Sequence, residues 1–185
     1  ALEDGISLEG ASWSPNSHFL ATHIPIPSQN KEWFDLGIID VTTNELTARL
    51  PGSVDYPFSE VVWNAESNRL YFSAIRNTPS FDVYAFDLEK GIEIPLIQTE
   101  FDDHYPLLSP DGKYLSFLRS LSQDAYILGL FDLSSNKIEL MTNSPIAVSA
   151  VLWLDNQRLL LSEYNPVESQ TIYYMLDIKT KAVKE

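Results

Sequence analysis

Leu107-Leu108-Ser109-Pro110-Asp111-Gly112-Lys113-Tyr114-Leu115-Ser116-Phe117 reads as strand, tight turn, strand. Pro110 presets φ for the second position of a type I turn, and Gly112 suits its fourth. Asp111 can hydrogen-bond to nearby backbone and hold the bend. The apolar residues on either side then pair as a hairpin.

The same shape occurs four times. The other copies are Ala11–Ala21 around Trp13-Ser14-Pro15-Asn16-Ser17, Val61–Phe72 around Trp63-Asn64-Ala65-Glu66-Ser67, and Val151–Leu161 around Trp153-Leu154-Asp155-Asn156-Gln157. The anchors Trp13, Trp63, Leu108 and Trp153 fall 50, 45 and 45 residues apart. A second landmark keeps the same period. It is an apolar run closed by aspartate, at Asp40, Asp87, Asp132 and Asp177, with spacings of 47, 45 and 45. A short polar turn follows each: Thr42-Thr43-Asn44, Glu89-Lys90-Gly91, Ser134-Ser135-Asn136 and Lys179-Thr180-Lys181. Asn and Gly tolerate positive φ at the third position, and Lys181 departs from that pattern. The simplest role for these four aspartates is structural, accepting turn N–H bonds.

Each unit holds four short strands, and a period of 40–50 residues with four strands is the mark of propeller blades. Runs such as Tyr126-Ile127-Leu128-Gly129-Leu130-Phe131 are nearly all apolar, whereas a sheet with one wet face would alternate. No segment keeps a helical i, i+3, i+4, i+7 pattern over several turns. The expected fold is all-β: a propeller or propeller fragment of four four-stranded antiparallel blades, at about 8–50, 58–98, 103–141 and 148–185. Ala1–Ser7 reads as a linker. The segment Pro25–Glu32 reads as an insertion whose two prolines preclude a regular central strand. Trp33-Phe34 belongs either to the third strand of the first blade or to a contact surface.

The 185 residues carry 26 acidic and 12 basic side chains, a formal charge of −14. Phosphate binding needs basic surface, so direct nucleic-acid contact is disfavoured, as is electrostatic docking on anionic membrane. There is no cysteine, which rules out disulfides, zinc-thiolate sites and thiol catalysis. No apolar run reaches membrane-spanning length, and nothing at the N-terminus reads as a signal peptide. No Gly-rich phosphate loop opens a helix. Gly5-Ile6-Ser7-Leu8-Glu9 lacks the closing glycine of a nucleophile elbow. The expectation is a chain that is not an enzyme and has no cofactor.

The Leu108–Phe117 stretch and Trp13-Ser14-Pro15-Asn16-Ser17 resemble the TolB-like propeller repeat, which centres on a Trp-Ser-Pro-Asp-Gly box followed by an apolar strand. The resemblance runs from about residue 8 to the end and is degraded in the second and fourth units. It implies a six- to eight-bladed propeller in the full-length protein. It also implies three settings: periplasmic protein-binding partners, the sensory portion of membrane-anchored winged-helix transcriptional regulators, and the gating domain of prolyl-oligopeptidase-type serine peptidases. Fold does not choose among them.

In a propeller the innermost strand of each blade lines the central channel. Glu9, Glu60, Asp102, Asp103 and His104 precede the anchors, so they are candidates to converge on one channel mouth and hold a hard cation or a cationic peptide group. No metal set is assigned. His18 and His23, five apart, point to opposite strand faces. The three anchor tryptophans are expected in the core. The partner expected is a protein or peptide, with self-association through open blade faces as a further possibility, and the expected setting is periplasmic.

Overall fold

The computed structural model describes residues 7–26, 33–54, 61–122, 125–142, 146–165 and 167–185. Every regular element among them is a strand. Sheet I contains β1 (Ser7–Trp13), β2 (Phe19–Ile26), β3 (Trp33–Asp40) and β4 (Glu45–Val54). Sheet II contains β5 (Val62–Trp63), β6 (Arg69–Ala74), β7 (Asp82–Asp87) and β8 (Ile92–Ile97). Sheet III contains β9 (Asp102–Leu108), β10 (Tyr114–Ser122), β11 (Ala125–Asp132) and β12 (Lys137–Leu140). Sheet IV contains β13 (Val148–Trp153), β14 (Arg158–Asn165), β15 (Gln170–Asp177) and β16 (Val183–Lys184). In each sheet the strands lie side by side in chain order. The backbone groups into two compact units, Ala1–Pro106 and Leu107–Glu185.

In the first unit, one face of sheet I packs on one face of sheet II. Ala21, Leu36, Ile38 and Leu50 meet Trp63, Leu70, Phe72, Ala74, Tyr84 and Phe86 in one buried cluster. Directly paired residues share a face, so Trp63, Leu70 and Phe86 form one apolar row across sheet II. The Trp63 ring stacks on Phe19 at 6.2 Å, and its indole N–H donates to the Ser12 carbonyl at 3.1 Å. In the second unit the Trp153 indole N–H donates to the Leu107 carbonyl, also at 3.1 Å. That bond turns the Trp153 face of sheet IV, with buried Leu159, Leu161 and Leu176, toward sheet III. Lys181 Nζ adds an ion pair to Glu139 at 2.7 Å.

The hairpin turns share one set of bonds. Ser14, Asn64 and Ser109 each donate N–H to the carbonyl five residues on. Their side chains accept in return: Ser14 Oγ from Phe19 N, Asn64 Oδ1 from Arg69 N, and Ser109 Oγ from Tyr114 N. In the degraded fourth copy Asp155 takes over, accepting from Gln157 N and Arg158 N. Ser17, Ser67 and Gly112 occupy the left-handed position with φ of 61°, 60° and 70°.

Several expectations need correction. Trp13 is 57% exposed, against 7% for Trp63, so it is not a core residue like its equivalents. The reason is that a tryptophan at this position is covered by the sheet before its own. β2 continues through Pro25, which pairs with Phe34. Among the described residues β1 pairs with β2 as far as His23, two residues short of Pro25. Lys181 adopts φ of 57° like Asn44 and Asn136, so the fourth turn keeps the common geometry without the favoured residue. β3 begins at Trp33, with Phe34 buried. His18 lies before β2 and is exposed, whereas His23 is buried against the Phe34 ring.

Replacing Trp63 by Phe keeps one aromatic ring but removes the indole donor and part of the buried ring volume. It is expected to cost about 2–3 kcal/mol in urea unfolding, from the lost hydrogen bond and the cavity left by the smaller side chain. Gly129 pairs with Phe117, whose ring occupies the space a Cβ at 129 would take. Gly129→Ala is therefore expected to destabilise by about 1–3 kcal/mol through overpacking, read in the same assay.

Candidate functional site

The four strand-closing aspartates face their own turns. Asp40 Oδ1 accepts from Thr42 N at 2.8 Å and from the Thr42 hydroxyl at 2.6 Å. Asp132 repeats this with Ser134 at 2.8 and 2.6 Å. Asp87 Oδ1 accepts from Lys90 N at 3.1 Å, and Asp177 Oδ1 from Lys179 N at 3.0 Å and Thr180 N at 2.8 Å. Donors aimed at the carboxylate favour its charged form. The Ser134 hydroxyl and N–H hold Asp132 down at about 2. Asp40, held by Thr42, and Asp177, held first by the Thr180 N–H, are lowered in the same way.

Of the five acidic and imidazole candidates, Glu60 and the Glu9 side chain lie outside the described residues. The other three open β9 and engage the segments before it. Asp102 Oδ1 accepts from Phe81 N at 2.8 Å, and Asp103 N donates to the Phe81 carbonyl at 2.8 Å. The Asp103 side chain is fully buried and its Oδ2 accepts the Thr99 hydroxyl at 2.7 Å. The His104 ring lies 4.8 Å from Phe81 and 5.7 Å from Tyr105. Tyr105 has φ of 54°, uncommon for a bulky residue. Asp102 and His104 remain partly exposed.

A residue absent from the sequence-based candidates completes this arrangement. Asp82, fully buried, accepts the Thr78 hydroxyl at 2.8 Å, the Tyr84 hydroxyl at 3.4 Å and Thr99 N at 3.3 Å. Thr99 thus gives its N–H to one buried carboxylate and its hydroxyl to another. A signal for Asp82 exists in the repeat. Phe81-Asp82 and Phe34-Asp35 stand at the same distance before Asp87 and Asp40. Asp35 is also buried, and pairs with Arg49. Among the described residues no group of three or more His, Asp or Glu is placed to hold a metal ion. What the arrangement does is fasten the Ile97–Asp102 connection to the start of β7, leaving Asp102 and His104 at its rim.

No family model and no curated protein matches the chain. Solved structures do. TolB from Acinetobacter baumannii superposes on 94% of this chain with a TM-score of 0.63 at 17% identity, over 42% of its own length. A putative TolB from Agrobacterium tumefaciens covers 97% of the chain with a TM-score of 0.66 at 17% identity, over 64% of its length. A prolyl endopeptidase covers 100% with a TM-score of 0.72 at 14% identity, over 29% of its length. The fold is that of a TolB-like β-propeller. The four antiparallel sheets expected from the repeat are its blades, and the chain spans roughly half the length of the TolB structures it matches.

The turn carboxylates give the propeller a defined acid response. An aspartate with a depressed folded value stabilises above its unfolded value, about 3.9. That stabilisation is lost as pH falls through the folded value. For Asp132 the window runs from about 4 down to about 2. A carboxyl carbon NMR titration is expected to place Asp132 near 2, and Asp132→Asn is expected to flatten the stability loss across that window. At the buried clamp, Asp82→Ala strands the Thr78 hydroxyl and Thr99 N–H. It is expected to cost about 1–3 kcal/mol in chemical denaturation.

Proposed function

We propose that this chain is a non-catalytic sensory or protein-interaction propeller, the extracytoplasmic part of a membrane-anchored transcriptional regulator. The supporting observation is the TolB-like fold combined with the acidic balance of −14, which suits a protein or peptide partner and disfavours DNA contact by this segment. The periplasm is the compartment this reading assigns. Within it, the partly exposed Asp102 and His104 are the described members of the acidic set that a cationic peptide group would meet, with Glu9 and Glu60 added from the sequence register. Asp103 is a supporting residue in this reading, because its carboxylate already holds Thr99.

A second reading is favoured by the similarity to a prolyl endopeptidase over the whole chain: the gating propeller of a serine peptidase whose catalytic domain lies elsewhere in the full-length protein. The complete coding sequence separates the two. A winged-helix domain followed by one membrane span upstream is the expected result. An α/β-hydrolase domain adjoining the propeller would overturn the regulator reading in favour of the peptidase one. The site is tested on its own by calorimetry with a lysine-rich peptide. Asp102→Asn is expected to weaken binding severalfold, and unchanged affinity would remove Asp102 from the site.

A further inference from the structure

The hairpin of sheet IV is one residue short. In sheets I, II and III the residue after the anchor donates its N–H to the carbonyl five residues on, whereas Leu154 donates to Arg158, four on. The sequence gives the same count: five residues separate Trp63 from Arg69, and four separate Trp153 from Arg158. The difference tells where one hairpin meets the next. In the first unit Asn16 N donates to Ser67 Oγ at 3.0 Å, so the tip of the sheet I hairpin is fastened to that of sheet II. Asp111 stands in the place of Asn16 in sheet III, and its carboxylate bonds to Ser109 and Lys113 of its own hairpin. Among the described residues no bond joins it to the shorter hairpin of sheet IV. A cleft of about 470 Å³ opens there instead, a volume ordinary for a small-ligand site.

The cleft combines an apolar base with polar groups that the fold does not use. Leu130 and Ile178 line it and are both buried. Tyr114, Asn156, Gln157 and Lys179 line it as well, and among the described residues the phenol, the two amides and the ammonium have no hydrogen-bond or ion-pair partner. The two carboxylates of the lining are already engaged, Asp111 by Lys113 at 2.9 Å and Glu139 by Lys181 at 2.7 Å. What the cleft offers a ligand is therefore one ammonium, two amides, a phenol and an apolar patch. The charge of the chain permits an anion here. Residues 107–185 contain seven basic and nine acidic side chains, a formal −2 out of −14, so the field that repels anions is concentrated in residues 1–106.

We propose that this cleft binds the C-terminal end of a peptide whose last residue is apolar. Ile178 and Lys179 are consecutive, so an apolar contact and an ion pair lie one residue apart. A chain end presents a side chain and a carboxylate on one residue, which matches that spacing. The ammonium takes the carboxylate in a charge-assisted bond. The amides of Asn156 and Gln157 and the Tyr114 hydroxyl each donate and accept, as the preceding peptide groups require. An acidic side chain within a chain brings a carboxylate with no apolar group on the same residue, and a sugar acid leaves the Leu130–Ile178 patch uncovered. The site uses none of the residues at the start of β9, so it stands apart from both readings of the function given above.

The test is a titration of the 185-residue chain with acetyl-Gly-Ser-Ala-Leu, followed by NMR of the backbone and side-chain amides. The free acid is expected to shift the side-chain amides of Asn156 and Gln157. The same peptide with an amidated end is expected to bind about tenfold more weakly, the effect of losing one charge-assisted bond. Lys179→Met is expected to erase the difference between the two peptides. Replacing residues 154–157 by the five residues that stand at 64–68 restores the longer hairpin. That variant is expected to bind neither peptide while its thermal unfolding stays cooperative. Equal affinity for acid and amide, a difference that survives Lys179→Met, or binding retained by the longer hairpin would overturn the proposal. So would no binding at millimolar peptide, shifts confined to other parts of the chain, or glucuronate binding as tightly as the peptide, which would make the cleft a sugar-acid site.

Discussion

A sheet that is apolar on both faces cannot stand alone in water, and that constraint organises this molecule. Sheet II shows it fully: Leu70, Phe72 and Phe86 are buried on one face, and Tyr71, Val83 and Ala85 on the other. Burial is non-directional and does not by itself say how two such sheets register. The indole-to-carbonyl bonds at Trp63 and Trp153 supply the direction. Each pins one strand end against the matching strand end of the preceding sheet with a single polar contact inside an apolar seam. Leaving that donor unpaired in the seam would cost more than the bond itself contributes.

The acidic balance has a structural origin that tempers its use as a binding signal. Asp40, Asp87, Asp132 and Asp177 hold turns, Asp111 and Asp155 hold hairpins, and Asp82 and Asp103 hold the connection into β9. These carboxylates have partners within a few residues or on the adjacent segment. Their charge still contributes to the field around the protein and keeps polyanions away. Much less of it remains available to grip a ligand directly.

The fold was legible because two landmark series kept one period, and a repeat of that length with four strands admits few architectures. Local geometry was legible where residue chemistry is restrictive, as at Pro110 and Gly112. It was less so at Lys181, where the turn bonds from Asp177 hold a residue that does not itself prefer positive φ. Pro25 misled because one proline removes a single ladder donor, and β2 keeps its pairing to β3 through it. Trp13 misled because sequence equivalence gives the position of a side chain in its sheet, whereas its burial depends on the neighbouring sheet. Asp82 went unnoticed because an aspartate at a strand start reads as solvent-facing. Only its place in the repeat, five residues before Asp87 as Asp35 is before Asp40, marks it out.

The same reasoning bears on function. A propeller that senses and a propeller that gates impose the same demands on the blades, which explains why the fold alone suits TolB and a prolyl endopeptidase equally well. The residues free to differ are those the fold does not use. At the start of β9, Asp103 is committed to Thr99 and buried, while Asp102 lends one oxygen to Phe81 N and stays partly exposed beside His104. A carboxylate anchored through one oxygen is already oriented, so a cationic group meeting the other encounters little loss of side-chain freedom. The neighbouring Tyr105 adopts positive φ just ahead of Pro106. In the proposed reading, recognition at this rim would draw on rigidity that the clamp around Asp82 and Thr99 supplies, and loosening that clamp would weaken binding.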